Sequence, residues 1–209
     1  MISDPQISPD GSRISFVHTT INYEKDEYES NIWLADVGSG KSQQFTSGRG
    51  KDKNPRWSPD GRSLLFTSVP PARDEKKDKE KKEKKPQLYV IPLQGGEAAR
   101  LTDLEGGVDS PRWSPDGKRI LFLSAFREKE PEGDVRVIDR LQYRFNGKGY
   151  FDGRRPHVFT IGVKGGKPRQ VTRSAFDVDS AEWLKNGKEI AFVSNLEPNA
   201  DLTWEKFLY

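Results

Sequence analysis

Short apolar runs recur along this chain, and turn-forming residues bound each of them. "RISFV" from Arg13, "SLLFTS" from Ser63, "RILFLS" from Arg119 and "EIAFVS" from Glu189 each follow a Ser-Pro-Asp-Gly or Asn-Gly corner. A second set, "NIWLADV" from Asn31, "QLYVIPL" from Gln87 and "HVFTIGV" from His157, is rich in aromatic and β-branched residues and runs into Ser-Gly or Gly-Gly. Apolar runs of this length, framed by Gly, Pro, Asn and Asp, predict β-strands joined by tight turns.

The runs belong to a repeat. "PRWSPDG" spans Pro55–Gly61 and returns unchanged at Pro111–Gly117, with weaker copies "PQISPDG" at Pro5–Gly11 and "AEWLKNG" at Ala181–Gly187. Nine residues after Ile7, Trp57, Trp113 and Trp183 stand Phe16, Phe66, Phe122 and Phe192. Eleven before each Trp is a threonine (Thr46, Thr102, Thr172), and seventeen before is a glycine (Gly40, Gly96, Gly166). In the corner itself Pro presets the first dihedral, the carboxylate of Asp60 or Asp116 can bond the backbone beyond it, and Gly61 or Gly117 takes the left-handed position.

One unit therefore reads strand A with the Trp, turn, strand B, variable loop, strand C, Gly turn, and a short strand D ending at Thr. A four-stranded antiparallel unit of this length is a propeller blade; an ordinary β-sandwich with recurrent turns is the alternative, but it has no reason to keep the offsets. The expected fold is all-β, a partial β-propeller of about three and a half blades over 1–209. Blade 1 covers 2–47, blade 2 covers 53–102 with a charged insertion at 69–86, blade 3 covers 108–172 with an insertion at 126–155, and blade 4 is incomplete at 178–209. Closed propellers have about four to eight blades, so the expectation is a piece of a longer protein.

Composition adds one local feature. Of 209 residues, 33% are hydrophobic and the net charge is +3. The stretch 73–85, "RDEKKDKEKKEKK", carries that whole excess, so the rest of the chain is neutral. Nucleic acid or acidic lipid could use such a tract. The favoured reading is a solvated excursion, because acids are interleaved and no aromatic offers a stacking surface; no nucleic-acid partner and no membrane partner is expected. Cysteine is absent, which removes disulfide and thiolate chemistry. No apolar run approaches a membrane span, and the start "MISDPQISPDG" has no signal-peptide character, so the expected location is cytoplasmic.

A catalytic constellation is not found. No Gly-x-Ser-x-Gly elbow occurs. The two histidines, His18 and His157, read as strand-end residues, and without Cys or clustered His a metal site is not expected. "FNGKGYFDG" lacks the spacing of a phosphate loop. No cofactor is expected.

The repeated "PRWSPDG" followed by "RSLLFTS" or "KRILFLS" resembles the Tol-type propeller repeat. "INYEKDEYESNIWLADVGSGKSQQFT" and "IDRLQYRFNGKGYFDGRRPHVFTI" together resemble the N-terminal propeller of acylaminoacyl peptidases and related dipeptidyl peptidases of the prolyl oligopeptidase family. The resemblance implies a serine peptidase acting on small peptides, with a C-terminal α/β-hydrolase domain that holds a Ser-Asp-His triad. None of the triad maps onto this chain, so this polypeptide alone is expected to be inactive. The implied role of the propeller is to filter access and to form one wall of the substrate cleft. Implied partners are the hydrolase domain, the remaining blades and a small peptide substrate; homo-oligomerisation is left open. A stand-alone binding or scaffold propeller without an enzyme is the second function class.

In a propeller the B-to-C and D-to-A connections share one face. The expected B-to-C connections are 20–30, 69–86, 126–155 and 195–206, and the hydrolase domain is expected to dock on their face. The 126–155 connection carries Asp139, Arg140, Tyr143, Arg144, Asp152, Arg154 and Arg155. Guanidinium groups suit peptide carboxylates and carbonyls because they donate in a planar fork. Arg140, Tyr143, Arg144, Asp152 and Arg154 are the candidate substrate-facing or interdomain residues. Alternatively the arginines pair with Asp139 and Asp152 and brace the loop. Trp57, Trp113 and Trp183 are expected to pack blade against blade.

Overall fold

A computed structural model of the chain describes residues 1–24, 26–47, 51–69, 84–127, 138, 141, 143–145, 149–173, 175–198, 200–203 and 205–209. The charged tract at 73–83, together with Asp139 and Arg140, lies outside the described residues.

The first sheet holds β1 (Ile2–Ile7), β2 (Arg13–Asn22), β3 (Glu27–Asp36) and β4 (Ser42–Gln44), and the second holds β5 (Lys53–Trp57), β6 (Ser63–Ser68), β7 (Gln87–Pro92) and β8 (Ala99–Arg100). Then come β9 (Asp109–Trp113) and β10 (Arg119–Phe126), a two-stranded ribbon of β11 (Arg144–Phe145) and β12 (Gly149–Tyr150), and β13 (Arg155–Gly162) and β14 (Arg169–Gln170), which complete the third sheet with β9 and β10. The fourth sheet holds β15 (Val178–Trp183), β16 (Ile190–Ser194) and, after a 3-10 turn at Ala200–Leu202, β17 (Phe207–Leu208). Every pairing within these sheets is antiparallel and follows chain order. The molecule is all-β, and successive antiparallel sheets stacked face to face form a partial propeller.

The first sheet departs from the expected loop. Residues 20–30 were read as a B-to-C connection, but β2 and β3 stay paired through Ile21↔Tyr28 and Asn22↔Glu27. "HTTINY" is rich in β-branched residues, which favour continued pairing, so only a short turn separates the strands. The other long connections persist: β10 ends at Phe126 and β13 opens at Arg155.

Period-2 alternation places apolar residues on both faces of the B strands, and each face meets a different neighbour. Leu64 and Phe66 pack with Ile32 and Leu34 of the first sheet. Leu65 and Leu88 pack instead with Ile120, Phe122, Phe159 and Ile161 of the third. Leu121, Leu123 and Val158 continue to Val178, Ala181 and Trp183 of the fourth. Both faces of the middle sheets are therefore core, which is why "SLLFTS" and "RILFLS" read as unbroken apolar runs rather than as hydrophobic–polar alternation.

Two polar devices recur with the repeat. Ser8, Ser58 and Ser114 each donate to the carboxylate two residues on, at 2.6 Å. The same hydroxyls accept the backbone N–H five residues on, at 2.9 Å. These bonds hold the carboxyls of Asp10, Asp60 and Asp116 below the usual range, that of Asp10 at about 2. Gly61 and Gly117 sit at φ 68° and 66°, where a side chain is strained. A Cβ at Gly61 would lie 3.7 Å from Pro9 of the preceding corner, one at Gly117 3.6 Å from Pro59, and one at Gly187 3.6 Å from Pro115.

The second device is the threonine. Thr46, Thr102 and Thr172 accept the backbone N–H of Ile32, Leu88 and Val158 at 2.9, 3.0 and 2.9 Å. Each hydroxyl then meets a different buried group: the carboxyl of Asp52, Oε1 of Gln87 at 2.9 Å, and Nδ1 of His157 at 3.2 Å. His157 is thus a buried strand residue, and His18 lies edge-on to Trp33.

The three repeat tryptophans, Trp57, Trp113 and Trp183, lie at the seams between sheets. The indole of Trp57 donates to the Gln6 carbonyl and that of Trp113 to the Arg56 carbonyl, both at 3.0 Å. Trp57 and Trp113 are partly rather than fully buried; Trp183 is buried, and Arg119 lies over its ring at 4.6 Å.

Candidate functional site on the long-connection face

The connection between β10 and β13 leaves the sheet beside the turn that joins β8 to β9. Gly106 in that turn lies against the end of β10, where a Cβ would stand 1.8 Å from the Ala125 carbonyl oxygen. Ser124 Oγ donates to the Gly107 carbonyl at 2.6 Å and ties the two segments together. This contact needs glycine, and it fixes the point from which the long connection departs.

From there the arginines spread to both neighbours. Arg154 Nη2 reaches Glu105 Oε1 at 2.6 Å, and its Nη1 reaches Asp152 Oδ2 at 3.2 Å. Asp152 Oδ1 also accepts the Arg154 backbone N–H at 3.0 Å, and Arg127 Nη1 donates to the Asp152 carbonyl at 3.1 Å. Arg155 pairs with Asp177 at 2.8 Å and covers the Phe151 ring at 5.2 Å. Glu105 precedes β9 and Asp177 precedes β15, so B-to-C and D-to-A connections do share this face. Asp152, Arg154 and Arg155 act as a brace here, with Glu105 as a further partner of Arg154 and Asp177 as the partner of Arg155.

Tyr143 and Arg144 are placed differently. Short β11 pairs Arg144 with Tyr150 and Phe145 with Gly149. Tyr143 stacks on Tyr150 with centroids 6.2 Å apart, and the Arg144 guanidinium lies 5.2 Å over the Tyr150 ring. The two tyrosines are 42% and 46% exposed, and Arg144 is exposed with no carboxylate partner among the described residues. The result is a small platform of two rings and one guanidinium, able to stack on a flat group and donate to an anion or carbonyl. Nothing in the spacing of Tyr143 and Tyr150 marked them as a pair; the ribbon register creates it.

Among the described residues no group of acidic or His side chains could hold a metal ion, and no helix is long and apolar enough to cross a membrane.

Residues 1–129 match the PD40 family, the TolB beta propeller domain. The chain belongs to that family. The TolB-type propeller described here is 35% identical to the "Uncharacterized peptidase YuxL" of Bacillus subtilis (strain 168) over 210 residues, which is 96% of this chain and 30% of the relative. It is 28% identical over 181 residues to "Dipeptidyl-peptidase 5" of Porphyromonas gingivalis, covering 84% of this chain and 22% of the relative. Among solved structures it superposes on an acylaminoacyl peptidase in complex with Z-Gly-Gly-Phe-chloromethyl ketone with a TM-score of 0.70 and 21% identity, over 100% of this chain and 30% of that one. The chain thus spans less than a third of the length of these relatives.

Proposed function

We propose that this TolB-type propeller is the non-catalytic portion of a serine peptidase of the acylaminoacyl-peptidase type. It gates access of small peptides, and its long-connection face forms one wall of the substrate cleft. The observation that carries the reading is the contrast on that face. Arg154 and Arg155 are consumed in bracing, at 2.6 Å to Glu105 and 2.8 Å to Asp177, whereas Tyr143, Arg144 and Tyr150 are presented outward. Binding groups are commonly mounted on connections of a rigid scaffold in this way. Likeness to two peptidases over most of this chain supports the assignment.

The reading brings a hydrolase domain and further blades as intramolecular partners, a short peptide as substrate, no cofactor and a cytoplasmic location. Its blades are those bounded above, at 2–47, 53–102, 108–172 and 178–209. The test is made on the full-length protein. A short N-acyl peptide should turn over much faster than the same sequence within a folded protein. Arg144→Ala should raise KM for the short peptide with a smaller change in kcat. Equal turnover of short and folded substrates would remove the gating role. An unchanged KM would remove Arg144 from the cleft.

A further inference from the structure

A cavity of about 530 Å³ opens between the first and second sheets, lined by the end of β2, the start of β3 and the start of β5. Its size falls within the range of small-molecule sites. Three observations bear on its chemistry. First, Ser30 lines it, is only 2% exposed, and its Oγ has no partner among the described residues. A buried hydroxyl without a partner costs free energy, so it is a donor placed for something absent from the fold itself. Second, Lys51 and Lys53 line the cavity, and neither forms an ion pair among the described residues. Asp4, the acidic group in the lining, is held at 2.8 Å by Arg56 and is thereby neutralised. Third, Val17 and the Tyr28 ring supply an apolar wall.

The position is built rather than incidental. Ser30 and Lys51 form a parallel bridge between the sheets, and the Asp52 N–H donates to the Ser30 carbonyl at 3.0 Å. The hydroxyl and the two ammonium groups are thus carried on backbones locked to each other.

We infer that this cavity is a binding site for a small organic carboxylate, with Lys51, Lys53 and Ser30 as donors to the carboxylate and Val17 and Tyr28 against the apolar remainder. Two cations and one hydroxyl suit an oxyanion, since charge-assisted hydrogen bonds are the strong ones. The apolar wall selects an organic anion over an inorganic one. The anion chemistry stands on the cavity alone. Only the peptide-like nature of the carboxylate rests on the proposed peptidase role, and binding can be measured without turnover, so the two readings fail separately.

The experiment is an NMR or calorimetric titration of the full chain with N-acetylphenylalanine, N-acetylphenylalaninamide and inorganic phosphate. The carboxylate should bind saturably, shift the amide signals of Ser30, Lys51 and Lys53, and bind at least about tenfold more tightly than the amide or phosphate. Lys53→Gln and, separately, Ser30→Ala should each weaken it about tenfold while leaving the circular dichroism spectrum unchanged. Equal binding of the amide would overturn the carboxylate. Equal binding of phosphate would overturn the organic ligand. No saturation by about 10 mM, or full binding in the Lys53→Gln variant, would overturn the site.

Discussion

The indole N–H of Trp113 donates to the carbonyl of Arg56 on the neighbouring sheet, 3.0 Å away, whereas the indole N–H of Trp183 is buried and meets no acceptor among the described residues. The same repeat position thus has opposite hydrogen-bond balance in two copies. Trp113→Phe should cost about 1 kcal/mol, because it strands the Arg56 carbonyl. Trp183→Phe removes an orphaned donor and keeps a ring under Arg119, so it should be neutral or stabilising. Urea midpoints check the assignment: that of Trp113→Phe should fall, and that of Trp183→Phe should not.

Asp52 occupies the position where the other copies place Val108 and Val178. Burial raises its carboxyl above the usual range despite hydrogen bonds from Ser68 and Thr46. A raised folded-state pKa means that the ionised form is the penalised one. Stability is then lost as pH rises through the raised value and regained below the ordinary carboxylate range. Asp52→Asn should raise the thermal midpoint at pH 7, and the gain should shrink toward pH 4. A gain that persists unchanged at pH 4 would contradict this.

The corner aspartates behave in the opposite sense. Asp10, Asp60 and Asp116 have lowered pKa values, that of Asp10 at about 2. Their contribution is present above the ordinary carboxylate range and lost as pH falls through the lowered values. The triple variant Asp10→Asn, Asp60→Asn, Asp116→Asn should be less stable than wild type at pH 7, and the two should converge between pH 4 and 2. Denaturant midpoints across that window provide the check.

Gly106→Ala pushes a methyl into the Ala125 carbonyl and should cost roughly 1–3 kcal/mol by overpacking, or more if the backbone cannot shift. Gly38→Ala, where a Cβ meets only Asp36 Oδ1 at 3.6 Å, is the control and should change little. Comparable urea midpoints for both variants would show that the turn yields freely.

Phe122 is fully buried and stacks on Phe159 at 5.8 Å between the second and third sheets. Phe122→Ala should cost about 3–5 kcal/mol. A much smaller loss, measured by calorimetry, would mean that the seam collapses around the cavity.

The repeat made the sheets legible. Constant distances from Trp to Phe and from Thr to Trp are distances between strand B, strand D and strand A of successive sheets, so one offset predicts one element. Where the repeat falters, legibility faltered with it. The β2–β3 pairing runs on to Asn22 and Glu27 because β-branched Thr19, Thr20 and Ile21 favour continued pairing. Arg154 was recognisable as a candidate, but its partner Glu105, like the Asp177 that pairs with Arg155, is distant in sequence and comes within reach only through the shared face of the connections. Asp52 was recoverable as the odd member of a Val column. Ser30 was not, since nothing in the sequence separates a satisfied serine from an unsatisfied one.

The proline of each of the first three corners leans on the glycine of the next: Pro9 on Gly61, Pro59 on Gly117, Pro115 on Gly187. The second and third units therefore carry both the plug and the socket of one joint, a head-to-tail contact rather than a self-complementary one, whereas the fourth, with Lys185 in the proline position, carries the socket alone. Where both halves are present, a joint of that kind has no built-in end. Duplicating the second or third unit supplies a matching partner on either side without a new interface, so the gene can gain or lose such units while the contact stays the same.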